Sequence, residues 1–346
     1  MQALILANGK GTNLRPLTVY TPKPIVPIVN VPLLLFQIEI LKRAGVEQIT
    51  LFLDYQPDKI EHLLGTKQEL GVELRYVVEP QPLGTAGAYK FASKYSSDTT
   101  IVLNGDVLTD LVIARLLKLH TKAGSSFSIT TTPIEPRSKY GVVKTDENFA
   151  VTDYFPDNLT AKNENKEFEL MNAGIYVIEP HIANLILDER PMTFKHNVFP
   201  NLIKTGEKFF AFPITNDYWC SIDSIDKYLQ VNQDFLAGKV RRFKKENGNG
   251  FESATSAFID KQSVIGADCV IKPNAKIVNS VLGRGVQVEE KAVIENSVIW
   301  SHTRVSNSAQ IRNSVVAGSC YIGKNSIVSE GSILGDKTSL TDYSKV

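Results

Sequence analysis

Ile277-Val278-Asn279-Ser280-Val281-Leu282-Gly283-Arg284-Gly285-Val286-Gln287-Val288 opens the pattern that decides the architecture of the C-terminal part of the chain. The tripeptide Asn-Ser-Val recurs at Asn279, Asn296 and Asn313, each 17 residues from the last. Aliphatic residues subdivide this repeat. Ile265, Ile271, Ile277, Leu282, Val288, Ile294, Ile299, Val305, Ile311, Val316, Ile322, Val328 and Leu334 follow one another at steps of six, six and five in rotation, with six in place of five at the last step. A helix would repeat its apolar residues at three and four positions and a half-buried strand at two. Steps of six fit a triangular coil that turns one aliphatic side chain inward from each face, with one corner shortened by a residue. Stacked coils bury one continuous core, so residues 257–346 are expected to form a left-handed parallel β-helix of hexapeptide repeats. This pattern specifies shape and is silent on chemistry. Its expected role is oligomerisation, since no histidine beyond His302 suits the acyl-transfer sites that such coils can carry.

Upstream of the repeat, Lys239, Arg241, Arg242, Lys244 and Lys245 lead into Asn247-Gly248-Asn249-Gly250. Charge followed by a glycine-asparagine run reads as a solvated linker over 239–256. Residues 1–238 alternate short apolar runs with amphipathic stretches, the mark of βαβ units and a mostly parallel sheet. Expected strands are Ala3–Leu6, Gln48–Phe52, Glu73–Val77, Thr100–Leu103, Ser126–Thr131 and Gly174–Val177. Expected helices are Leu33–Arg43, Gly84–Ser93, Leu108–His120, His181–Leu187 and Ser224–Leu236. The fold class is therefore α/β, a Rossmann-like domain followed by the β-helix, with ligands at the C-terminal ends of the strands.

Composition narrows the function. The 346 residues are 43% hydrophobic and carry a net charge of +1, so no basic field favours nucleic acid or a membrane surface. The stretch from Ile25 to Leu41 is broken by Pro27, Asn30, Pro32 and Glu39, and the first residues lack a basic n-region, so neither a membrane span nor a signal peptide is expected. Cys220, Cys269 and Cys320 have no C-x-x-C spacing and the histidines no metal spacing, which points to buried thiols and a reducing cytoplasm. The expected partners are small molecules or protein.

The chain opens with Ala3-Leu4-Ile5-Leu6-Ala7-Asn8-Gly9-Lys10-Gly11-Thr12-Asn13-Leu14-Arg15-Pro16-Leu17-Thr18, then Thr21-Pro22-Lys23-Pro24. A β-prone run breaks into a glycine-containing loop, where backbone N–H groups can approach an anion, and three basic side chains attend it. Glu79-Pro80-Gln81-Pro82-Leu83-Gly84-Thr85-Ala86-Gly87-Ala88 puts small residues at a helix start, suited to close approach by a flat base and a nearby anion. Val102-Leu103-Asn104-Gly105-Asp106 ends a strand on a carboxylate, an oxygen ligand that suits a hard cation; Asp110 is expected to cap the following helix. These stretches, with Asn172-Ala173-Gly174-Ile175-Tyr176 and Lys139-Tyr140-Gly141-Val142-Val143, resemble the sugar-nucleotide pyrophosphorylases (sugar-1-phosphate nucleotidyltransferases), in particular the mannose-1-phosphate guanylyltransferase branch with a C-terminal β-helix. The resemblance implies that Leu6, Ala7, Gly9, Lys10, Gly11, Thr12, Gln81, Gly84 and Thr85 bind the nucleotide. It implies that Gly141, Glu169 and Asn172 support the sugar, that Asp106 holds Mg²⁺, and that Arg15 and Lys23 assist the chemistry.

Three departures fall on the phosphates. The family's loop arginine is Asn13; its F-x-E-K-P motif aligns with Tyr154-Phe155-Pro156-Asp157-Asn158, placing a carboxylate at Asp157; and its W-x-D-I-G motif reads Trp219-Cys220-Ser221-Ile222-Asp223, with Ser221 where the second metal carboxylate belongs. Asp223, two residues on, returns to the same face of the strand and is the expected substitute ligand for the metal. An arginine that stabilises phosphoryl transfer contributes about 10³ to 10⁵ in rate. Two functions follow as expectations. One is a nucleotide or nucleotide-sugar binding subunit with impaired catalysis, assembled as a homo-oligomer or with an active homologue. The other is a working Mg²⁺-dependent enzyme of the GDP-mannose type that uses Lys10, Arg15, Lys23 and Asp106.

Overall fold

The apolar run at the start of the chain forms β1 (Gln2–Ala7), buried along its length; the computed structural model describes residues 1–65, 70–79, 81–95, 98–133, 141–156, 170–187, 190–329 and 331–346. The further described strands of the sheet-bearing part, in chain order from Gln48 to Ser221, are β2 (Gln48–Leu53), β3 (Glu73–Val78), β4 (Thr100–Asn104), β5 (Val107–Thr109), β6 (Phe127–Pro133), β7 (Val142–Thr145), β8 (Val151–Phe155), β9 (Leu170–Ile178), β10 (Phe209–Pro213) and β11 (Trp219–Ser221). Among the described residues the α-helices are α1 (Leu33–Arg43), α2 (Pro57–Leu64), α3 (Gly84–Ser93), α4 (Ile113–Ala123), α5 (Phe199–Thr205) and α6 (Ile225–Leu236). Two units result, Met1–Gly9 with Leu34–Ser221, and Lys10–Leu33 with Ile222–Val346.

In the first unit β1 is flanked in parallel by β2 and β4, and β3 extends the sheet beyond β2. Register aligns Leu6 with Phe52 on one side and Asn104 on the other, so three strands end in one row. The Rossmann-like arrangement stands, but the mostly parallel expectation holds for this half only. β9 runs antiparallel to β4, β6 and β7. Phe127, Phe199 and Phe209 pack edge-to-face at 5.3 to 5.5 Å from Phe127, in the core beside this second half.

Two of the expected helices differ. Leu108–His120 divides into strand β5 and helix α4, because Val107–Thr109 pairs with Trp219–Ser221. Asp110 does not cap α4: its Oδ1 accepts from Tyr218 N at 2.7 Å, and α4 begins after Val112. His181–Leu187 is a 3₁₀ helix over Pro180–Leu185.

The second unit is built on the expected β-helix. Three parallel sheets stack two- and three-residue strands, and the aliphatic residues of the six-six-five pattern line its interior. Each letter of Asn-Ser-Val has a separate cause. Asn279, Asn296 and Asn313 turn corners at φ of 47°, 49° and 48°, where asparagine tolerates the left-handed conformation. The serines are buried and form a ladder, Ser297 N donating to Ser280 Oγ at 3.1 Å and Ser314 N to Ser297 Oγ at 3.2 Å. The valines face outward, yet Val264, Val281, Val298 and Val315 are all buried. Contacts from α6 reach this side: Gln233 Nε2 donates to Asn279 O at 3.2 Å, and Trp300 packs edge-on against Tyr228. Coils begin inside the stretch read as a linker, where Glu252–Ser253 pairs with Val270–Ile271. Its basic residues grip their own chain, Lys239 pairing with Asp234 and Lys245 donating to Leu236 O. Among the described residues no helix is long and apolar enough to cross a membrane.

Candidate functional site

The row where β1, β2 and β4 end gathers the first unit's motif residues. Leu6 and Ala7 close β1, and Gly105 N donates to Leu6 O at 2.9 Å. Asn8 Nδ2 donates to Glu79 Oε2 at 3.0 Å, while Glu79 Oε1 accepts from Leu83 N at 2.6 Å. The loop after β1 is thereby tied to the turn that leads into α3. Gln37, on α1, donates through one Nε2 to Asn104 O and to Val107 O, both at 2.8 Å. These carbonyls bracket Gly105-Asp106, so one buried amide fixes the turn that presents Asp106. Asp106 itself is half-buried.

Tyr176 joins the Asn-Gly-Asp turn to the Asn-Ala-Gly-Ile-Tyr strand. Asn172 Nδ2 donates to its hydroxyl at 2.9 Å, and Asn104, at the turn, lies against Gly174 of the strand, its Nδ2 2.5 Å from where a Cβ there would stand. Burial foremost lifts the Tyr176 phenol above its ordinary range; the Asn172 hydrogen bond acts against this, and the Asp106 carboxylate adds to it. Asn172 Oδ1 accepts from Gly174 N at 2.9 Å, so this amide, expected to meet a sugar, is engaged at both ends within the protein.

The motif glycines divide by what a Cβ would meet. At Gly84, with φ of 72°, it would lie 2.5 Å from Met192 O; at Gly87, 3.0 Å from Leu83 Cβ; at Gly141, 2.0 Å from Tyr154 Oη. Ala86 N and Gly87 N both donate to Met192 O, and Phe194 N donates to Thr85 Oγ1 at 3.1 Å. Gly84 and Gly87 therefore answer to packing within the protein on their Cβ sides. They clear space for Arg190–Met192, and Gly141 clears space for the Tyr154 ring. Gly9 is different: a Cβ there would meet nothing within 4 Å. Gln81 is exposed.

In the second unit the basic residues share one closed loop. Gly11, at φ of 64°, starts a 3₁₀ turn over Thr12–Leu14 that carries Asn13. Thr18 Oγ1 donates to Gly11 O at 2.6 Å, and a Cβ on Gly11 would fall 2.9 Å from Lys23 Cβ. Lys10, Thr12, Asn13 and Arg15 are exposed, and Lys23 is half-buried.

Ser221 pairs with Val107, next to Asp106 in sequence, and is buried. The strand ends at Ser221, so strand alternation does not carry Asp223 to its face; Asp223 leads instead into Ser224, the N-cap of α6. Among the described residues no three of His, Cys, Asp and Glu group to hold a metal. A Mg²⁺ ion commonly takes one or two carboxylates and completes its shell with water and substrate phosphates, so Asp106 fits a cation that arrives with a nucleotide. Pro80, Lys139, Tyr140, Asp157, Asn158 and Glu169 lie outside the described residues. Sequence reasoning missed the Gln37 clamp, although a glutamine amid the apolar residues of α1 was a visible signal. It also missed Met192, whose partners lie about a hundred positions away.

Residues 2–238 match the family model described as Nucleotidyl transferase, and residues 243–346 that described as EIF2B subunit epsilon LbH domain. A mannose-1-phosphate guanyltransferase of Pichia angusta is 35% identical over 288 residues, 80% of this chain and 73% of that protein. A mannose-1-phosphate guanylyltransferase catalytic subunit beta of Drosophila melanogaster is 34% identical over 272 residues, 78% of this chain and 72% of that protein. A probable mannose-1-phosphate guanylyltransferase 3 of Oryza sativa subsp. japonica is 32% identical over 282 residues, with 80% and 76% covered.

Proposed function

The chain belongs to the nucleotidyl transferase family, and from that premise we propose that it joins a sugar 1-phosphate to a nucleoside triphosphate, forming a nucleotide sugar of the GDP-mannose type. A sugar phosphate oxygen attacks the α-phosphorus, the α–β bridging bond breaks, and pyrophosphate leaves. The observation that carries this reading is the row of strand ends, where Gly9 opens on free space and the Gln37 clamp presents Asp106. Little covalent work falls to the protein in such a transfer; it positions the phosphates and neutralises charge. The family resemblance assigns cations to Lys10, Arg15 and Lys23, and the Gly9 backbone admits a phosphate without Cβ interference. Asp106 would hold Mg²⁺, which supplies neutralisation of the phosphate oxygens. The test is pyrophosphate release from GTP and mannose 1-phosphate with Mg²⁺, repeated with glucose 1-phosphate and the other nucleoside triphosphates. Turnover near about one per second supports transfer.

A second reading is favoured by Asn13 and Ser221, which withhold a cation and a carboxylate from the positions where the family resemblance places them. On this reading the chain binds nucleotide or nucleotide sugar and serves as a regulatory or structural subunit, assembled through its β-helix with itself or with an active homologue. Calorimetric binding of GTP without pyrophosphate release would favour it over transfer. Asn13→Arg with Ser221→Asp should then raise activity by about tenfold or more.

A further inference from the structure

The segment Lys10–Leu33 contains two 3₁₀ turns and one hairpin of two-residue strands, and nothing longer. Loops of such length in compact domains need support from elsewhere, and three cations within this one oppose its closure. Helix α6 and the β-helix provide that support at two places. At the first, Tyr228, fully buried on α6, donates its hydroxyl hydrogen to Pro27 O at 2.7 Å and accepts from Trp300 Nε1 at 2.8 Å. Asn30 Nδ2 donates to Leu282 O at 2.8 Å, and Val29 N donates to Asn232 Oδ1 at 2.9 Å. Val29 and Asn30 hold φ of 46° and 67°. A β-branched residue in the left-handed region is strained and persists only where its surroundings enforce it. At the second place, a Cβ on Gly335 would lie 3.0 Å from Pro16 Cβ, and Lys337 Nζ sits 5.5 Å from the Tyr20 ring centroid. Hairpin and basic loop are thus fastened to separate coils.

We infer that the β-helix is the positioning element of the basic loop, with Tyr228 its central bolt, so that coils without chemistry of their own set where Lys10, Arg15 and Lys23 stand. The consequence for nucleotide affinity rests on the nucleotide-binding reading above; the anchoring does not. Tyr228→Phe in the full chain keeps the ring and removes both hydroxyl bonds. Hydrogen exchange of amides in Lys10–Leu33 should quicken on the order of tenfold, with interior coil amides unchanged. The KM for GTP should rise about threefold or more while that for mannose 1-phosphate holds, a split that general loss of structure does not produce, whatever melting temperature the two unsatisfied partners cost. Lys337→Ala, at an exposed side chain, should quicken exchange around Leu17–Tyr20 without loss of stability. Exchange in Lys10–Leu33 equal to wild type in both variants overturns the inference. Wild-type protein that binds no GTP defeats the nucleotide reading alone, because the exchange measurement still decides the anchoring.

Discussion

Gln37 occupies a position on α1 where an apolar residue would be expected, with Leu33 and Leu34 one turn before it and Ile40 and Leu41 one turn after, all buried. Its retention there makes sense if the Asn104 and Val107 carbonyls need its two N–H groups. Gln37→Leu leaves both carbonyls without that donor, at about 1–3 kcal/mol for each one left unsatisfied. The expected outcome is a lower melting temperature together with a pyrophosphate-release curve displaced to higher Mg²⁺. A variant that melts lower yet keeps the wild-type Mg²⁺ half-saturation would show that the clamp serves the fold alone. The glycines give a second test at this scale. Gly84→Ala combines a positive φ with a backbone oxygen at 2.5 Å, so it should cost well over the roughly 1–2 kcal/mol of the left-handed conformation itself. Gly9→Ala meets nothing, should leave the thermal melt unchanged, and should weaken GTP binding; equal melts for the two variants would contradict this division.

At the scale of elements, neighbouring coils of the β-helix are bridged by Glu295, which accepts from Lys276 Nζ at 2.7 Å and from Arg312 Nε at 2.9 Å. The Lys276 hydrogen bond first, and the Arg312 bond next, hold its carboxyl below the ordinary value of 4.5. A carboxyl lowered in the folded state stabilises above its unfolded value and loses that contribution as pH falls through its folded value. Solvent screens the partners, so the contribution is about 0.5 kcal/mol. The gap in melting temperature between wild type and Glu295→Gln should therefore be present near about pH 7 and close toward about pH 3; a gap that widens on acidification would refute the assignment. These coils were legible in the sequence because each aliphatic residue answers to a neighbour in the same short repeat. Helices α1 and α3 were legible for a similar reason, their periodicity being complete within eleven and ten residues. Strand β5 was not, since Val107–Thr109 becomes a strand only by pairing with Trp219–Ser221. The antiparallel half of the sheet and the purposes of Gly84 and Gly141 were hidden likewise. Their partners, Met192 and Tyr154, are set by folding and not by local spacing.

At the scale of the whole molecule, sequence composition divides the chain once, near residue 238, whereas the two units divide it at Gly9–Lys10, Leu33–Leu34 and Ile222. A domain joined by one linker can unfold by itself, because few contacts cross its boundary. Here the second unit includes a segment whose two ends run directly into β1 and α1 of the first. Releasing that segment frees the flanks of a central strand, and unfolding the sheet pulls the segment's ends apart. One cooperative transition is therefore expected in place of two. The chain supplies its own probes, since its two tryptophans, Trp219 and Trp300, fall in different units. In Trp300→Phe the remaining fluorescence reports the sheet, through an indole that donates to Ala173 O at 2.8 Å. In Trp219→Phe it reports the β-helix side, through the Trp300–Tyr228 contact. Within each variant the tryptophan signal and the far-ultraviolet dichroism should share one denaturant midpoint. If Trp300 instead changes at a lower denaturant concentration than the dichroism of the same variant, the coils unfold independently and the interleaved chain path does not couple the units.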